Sequence, residues 1–315
     1  MAQFPIKPKS AGDQPQILSW VQSDIENRFG FKGGRYTSVN HAFAFLIGGL
    51  LSAILYGLML VVFIHLPLVS KIAVIYMRPS NQFAVIPATF FFFGGLAILF
   101  LKGKKIQFQQ RALALSAVPA EPEFVLTETT AATVLSRIHS LVEHPRHFVV
   151  LNRLDRALSN FKNIGQVNDV SAILRAQAEN DEDQAASSYT VVNGLVWAIP
   201  VLGFIGTVLG LSLAIGRFTA TLQSGGDLAK IRASLQGVTS GLATAFESTL
   251  VALTFTLILQ LVITFQQKRE MAFLDECNDY CHSHVVSKLR VAERQPAPPA
   301  SPPPAPAAAA APSKP

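Results

Sequence analysis

Four long apolar runs, separated by strongly polar stretches, organise this chain. Residues 42–64 carry no charge, and residues 83–101 carry none either, with Phe90, Phe91, Phe92 and Phe93 at the middle of the run. The third run, 190–216, is interrupted only by Pro200, and the fourth, 237–265, contains a single ionisable residue, Glu247. About 20 mostly apolar residues cross roughly 30 Å of hydrocarbon, so each run is read as a span. Pro200 is expected to kink its helix, with neighbouring helices accommodating the freed carbonyl. The fold class expected is an all-α membrane protein of four transmembrane helices with helical extensions outside the bilayer.

The polar stretches divide as follows. Residues 1–41 are read as a cytoplasmic segment in which Ile17, Leu18, Val21, Ile25 and Phe29 recur at helical spacing, with Asp24 and Glu26 between them, as in a short amphipathic helix. This segment is too long and too polar ahead of the first apolar run to resemble a cleaved signal peptide. Residues 42–101 hold helices 1 and 2 of the membrane domain, and 102–189 form a helical region. In that region Ala131, Val134, Leu135, Ile138, Leu141 and Val142 make one apolar stripe, and Phe148, Leu151, Leu154, Leu158 and Phe161 make another. The acidic run Glu179, Asn180, Asp181, Glu182 and Asp183 is read as a solvated helix face or turn. Residues 190–266 hold helices 3 and 4, 267–294 a further helix, and 295–315 a Pro/Ala tail whose composition cannot bury a core.

Lysine and arginine set the expected orientation, because cytoplasmic segments hold the excess. Five precede the first span, ten lie between the second and third, and six follow the fourth, against two and three in the short loops. Both termini and the central region are therefore expected on the cytoplasmic side, and residues 71 and 78 on the other.

Composition agrees with the spans. Apolar residues make up 50% of the 315, charged residues 15%, and mean hydropathy is +0.35, where a soluble chain carries about 25% charge. The net charge of +6 sits mainly beside the spans, where it anchors to anionic lipid. No base-stacking or groove-entering motif accompanies it, so nucleic acid is not an expected partner. No GxxxxGK[ST] loop is present, which argues against a self-contained nucleotide-driven pump. Cys277, Cys281, His282 and His284 have metal-ligand side chains but fall on one short stretch, and a four-ligand site draws on two elements. No metal, cofactor or catalytic residue is expected.

Spans three and four hold the informative positions. Gly203, Gly206, Gly210 and Ala214 place small residues on adjacent faces of the third, and Gly237, Gly241 and Ala245 do so on the fourth, which lets another helix approach closely. Ser240, Thr244 and Ser248 recur at four-residue spacing, and Glu247, three residues after Thr244, borders this polar face at about 60°. Ionisable groups at membrane depth are costly and usually line an ion path.

Residues 199–211, IPVLGFIGTVLGL, followed after a short loop by 241–253, GLATAFESTLVAL, resemble the paired signature of the MotA/TolQ/ExbB proton-channel family. The resemblance implies a homopentameric ring around a dimer of a one-span MotB, TolR or ExbD-like partner in the bacterial inner membrane. It implies that the partner's aspartate takes up protons, with sodium ions as the alternative, and that no covalent bond is made. Thr207 stands at the family's third-span pore threonine and Thr249 at the fourth-span one. ExbB-like members have a glutamate where this chain has Thr244, and here the carboxyl lies at Glu247 instead. The resemblance thus makes Thr207, Thr244, Glu247, Ser248 and Thr249 the expected ion-path residues. A non-conducting scaffold or receptor, and a self-sufficient channel with Glu247 as its filter, are the other two classes compatible with these residues.

Overall fold

The computed structural model describes residues 18–20, 24–65, 70–115, 117–119, 121, 124–159, 167–223 and 228–289. Its helices, in chain order, are α1 (Ile25–Arg28), α2 (His41–His65), α3 (Ser70–Met77), α4 (Pro79–Leu113), α5 (Glu128–Leu141), α6 (Val149–Ser159), α7 (Val167–Ser187), α8 (Thr190–Gln223) and α9 (Leu228–His284). Among the described residues there is no β-strand, only two isolated bridges, Leu18 to Val142 and Leu126 to Leu289.

Among the described residues four helices are long and apolar enough to cross a membrane, and they contain the four runs read from sequence. α4 is the internal one. It packs against α2, α8 and α9, and α8 packs along α9. The aromatic run of α4 supplies part of this contact, with Phe92 stacked on Phe255 of α9 at a centroid distance of 4.3 Å. α2 and the outer faces of α8 and α9 instead leave Leu50, Ile54, Leu58, Phe204, Val208, Leu250 and Leu257 exposed. In a spanning chain such faces meet lipid or further protein. Pro200 lies inside α8, which runs through it as one 34-residue helix.

The helices also run past the bilayer. The 57 residues of α9 extend about 85 Å at 1.5 Å per residue, far beyond roughly 30 Å of hydrocarbon. The excess of α4 and α9 joins α5, α6 and α7 in a polar module with its own core, in which Ile106, Ile138, Phe148, Leu151, Leu154 and Phe273 are buried together. Both sequence stripes feed it: Ala131, Val134, Ile138 and Val142 of the first and Leu151, Leu154 and Leu158 of the second are buried. α5 starts in a capping box, in which the Thr127 hydroxyl accepts from the Thr130 N–H and the Thr130 hydroxyl accepts from the Thr127 N–H, satisfying two donors that would otherwise be orphaned.

Two readings of the polar segments change. Among the described residues of the pre-span segment the helix is Ile25–Arg28, with Trp20 also helical, while Ile17 and Val21 lie outside the described residues. There Asp24 and Glu26 are buried, because Lys105 of α4 reaches both, at 3.6 and 2.6 Å. Burial pushes the Asp24 carboxyl above its usual range in spite of Lys105. In the acidic run, Glu179, Asn180, Glu182 and Asp183 are exposed but Asp181 is not. It falls on the buried face of α7 with Leu174, Ala178 and Ala185 and accepts from Arg153 Nε at 2.7 Å. A buried guanidinium without a carboxylate would be costly, so this acid is turned inward. Phe161, Pro122 and the Pro/Ala tail lie outside the described residues.

Candidate functional site

The small residues of α8 and α9 meet each other within one chain. A Cβ on Gly203 would stand 2.6 Å from Ala252 Cβ, one on Gly206 would stand 2.7 Å from both Ala84 Cβ and Ser248 Oγ, and one on Gly241 would stand 2.6 Å from Ala214 Cβ. Gly210 faces Ala245 at 3.3 Å. The helix admitted by these stripes is therefore the other span of the same hairpin, with α4 closing one side at Ala84. Gly237 differs, since a Cβ there would meet nothing within 4 Å.

Each of the two helices also contributes a hydroxyl that bonds an α8 carbonyl. Thr249 of α9 donates to the Gly203 carbonyl of α8 at 3.1 Å, and Thr207 of α8 donates to the Phe204 carbonyl at 2.6 Å. The two threonines thus bond to successive carbonyls of one helix. Neither is fully buried, so the lone pairs left on each oxygen stay available to an incoming donor.

The other three polar residues are placed differently. Thr244 and Ser248 are buried, donating to the Ser240 and Ala245 carbonyls at 2.9 and 2.8 Å. Glu247 lies two residues before Thr249, about 160° away around α9, and Arg78 donates to its Oε2 at 2.9 Å and to Thr244 Oγ1 at 2.5 Å. The five residues expected on one ion path are therefore not one group: Thr207 and Thr249 bond α8 carbonyls, Ser248 lies against Gly206 of α8, and Thr244 and Glu247 are joined by Arg78. Periodicity on α9 alone could not show this, because Arg78 comes from the loop ahead of α4.

A second buried cluster escaped sequence reading altogether. Where α4 leaves the membrane domain, Lys102 Nζ lies 3.0 Å from Glu270 Oε1, 2.9 Å from Oε2 and 2.5 Å from Ser188 Oγ, and 4.3 Å from the Tyr189 ring centroid. Thr37 donates to the same Glu270 carboxylate at 2.5 Å. The only hint in the sequence is that Lys102 directly follows the second apolar run. At the far end of α9, Cys277 and Cys281 are buried while His282 is exposed and His284 stacks on Tyr280 at 4.3 Å. Among the described residues no group of three or more His, Cys, Asp or Glu is placed to hold a metal ion.

Four apolar spanning helices with a long extramembrane extension define a multi-pass α-helical membrane protein. Residues 145–276 match the model of the MotA/TolQ/ExbB proton channel family, a stretch that extends from the turn at Pro145 through α6, α7 and α8 into α9. The match takes in part of the polar module as well as the hairpin from which the resemblance was read. Neither a curated protein nor a solved structure matches the chain.

Proposed function

We propose that the chain is the ring subunit of a proton-driven complex, with five copies enclosing a dimer of a one-span MotB, TolR or ExbD-like partner in the bacterial inner membrane. The polar module and both termini lie on the cytoplasmic side. The observation that carries this reading is the pairing of Thr207 and Thr249 on successive carbonyls, within the region of family similarity.

Each hydroxyl gives its proton to a carbonyl and turns only acceptor lone pairs outward. Such a site favours donors: water, hydronium, or a partner carboxyl that has just been protonated. The partner's acid is stabilised against the threonines in its neutral form and leaves when it ionises. Moving one charge through 100 mV supplies about 2.3 kcal/mol, and mechanical work is exported through the partner. No bond is made or broken, so the protein is not an enzyme. The same oxygens also suit sodium, so flux is compared in sodium-free and sodium buffers.

Valine keeps the shape of threonine without the hydroxyl. Thr207→Val and Thr249→Val are expected to leave subunit composition normal and to lower ion flux at least about tenfold, the loss of one hydrogen bond of about 1.4 kcal/mol in the rate-limiting state. Thr249→Ser should retain flux. Flux at the wild-type level in both valine variants, in complexes of normal composition, would remove the threonine face from the mechanism.

Orientation has its own test. Ser136 is exposed on α5, and both native cysteines are buried, so Ser136→Cys supplies an accessible thiol. In sealed cells it is expected to resist a membrane-impermeant maleimide and to react once the cells are opened. Labelling before opening would reverse the topology.

A further inference from the structure

We infer that Arg78 is the built-in counter-ion of Glu247, and that the pair is a latch tying the start of α4 to α9 rather than a station on the ion path. This deepens the reading above, since it rests on ions passing along the threonine face.

The local sequence explains how Arg78 gets there. Pro79 takes the first position of α4, and Arg78 before it is extended, with φ −69° and ψ 121°, the region to which a following proline restricts a residue. Arg78 makes no side-chain cap to its own helix, which leaves its guanidinium to reach α9. There its Nη1 meets both Thr244 Oγ1 and Glu247 Oε2. The Thr244 hydroxyl donates to Ser240 and so presents a lone pair to the arginine, completing a chain from guanidinium to hydroxyl to backbone.

Charge decides the role. The side chains are only 32% and 28% exposed, and a lone carboxylate at membrane depth is costly. A guanidinium does not give up its proton in proteins, so the counter-charge beside Glu247 is permanent. A relay carboxylate has to face the ion path, whereas this one is turned to a fixed cation 2.9 Å away that also bonds Thr244. Position agrees with this, because Glu247 points about 160° away from Thr249 around α9. The segment between α2 and α4 carries one other basic residue, Lys71, on the side of the membrane where the positive-inside pattern is poorest.

The two roles predict opposite mutant patterns. Removing one partner of such a pair leaves an uncompensated charge, whereas removing both is far better tolerated. Arg78→Gln and Glu247→Gln are each expected to lower the yield and thermal midpoint of the full-length chain in detergent, while the double variant R78Q/E247Q recovers both. In inverted membrane vesicles from the native cells, flux per assembled complex in the double variant should stay within about twofold of wild type. The charge reversal R78E/E247R provides a second test of recovery. Additive losses in the double variant overturn the latch. So does an E247Q chain that assembles normally but conducts nothing while R78Q keeps both properties, because that is the pattern of a relay. Recovery of assembly in the double variant supports the latch even where Thr207→Val retains full flux, a result that removes the threonine reading alone.

Discussion

Lys102→Met is expected to destabilise the protein by about 3–5 kcal/mol, the cost of leaving one member of a buried ion pair without its partner. Lys102 and Glu270 are 1% and 2% exposed, with nitrogen and oxygen 2.9 Å apart. Methionine fills the stem volume of lysine but abandons the Glu270 carboxylate to one hydrogen bond from Thr37. Ser188 and the Tyr189 ring lose their cation as well. The effect should spread, because Thr37 precedes the first span, Lys102 follows the second, Ser188 precedes the third and Glu270 follows the fourth. All four membrane segments are joined through this cluster. Thermal unfolding of the purified chain in detergent gives the measurement, with Lys102→Met/Glu270→Met as the partner variant. The double variant should recover most of the loss, since two apolar side chains replace two charges. A single variant as stable as wild type would mean that the pair contributes nothing to the fold.

Gly203→Leu is the second large effect, and it acts by volume instead of charge. The Cβ alone would lie 2.6 Å from Ala252 Cβ and 3.3 Å from the Thr249 Cα, and the second of these is backbone that cannot rotate away. Overpacking typically costs about 1–3 kcal/mol, more where backbone has to shift. Here the shift also separates Thr249 from the Gly203 carbonyl to which it donates. The variant should therefore lose ion flux together with stability, unlike Thr207→Val, which loses flux alone. Gly237→Leu serves as the control within the subunit, because open space surrounds that position. Unfolding midpoints and flux of the two variants separate the cases. Equal tolerance of leucine at 203 and at 237 would show that α8 and α9 do not depend on this contact.

What the sequence determined by itself was the set of properties that add up along the chain. Four spans were legible because the length of an apolar run, measured against the thickness of a bilayer, is a one-dimensional quantity. The stripes of α5 and α6 were legible because helical periodicity returns a residue to the same face every three or four positions, and the small residues of α8 and α9 for the same reason. The tertiary structure decided which partner each face meets. It turned the glycine stripes toward the neighbouring span of the same chain, drew Asp181 from an apparently solvated run onto Arg153, and brought Arg78 to Glu247 across 169 residues and Lys102 to Glu270 across 168. Hydropathy and periodicity report how much each segment gains by leaving water. The position of a counter-charge depends on where separate helices cross, and no local pattern records that crossing.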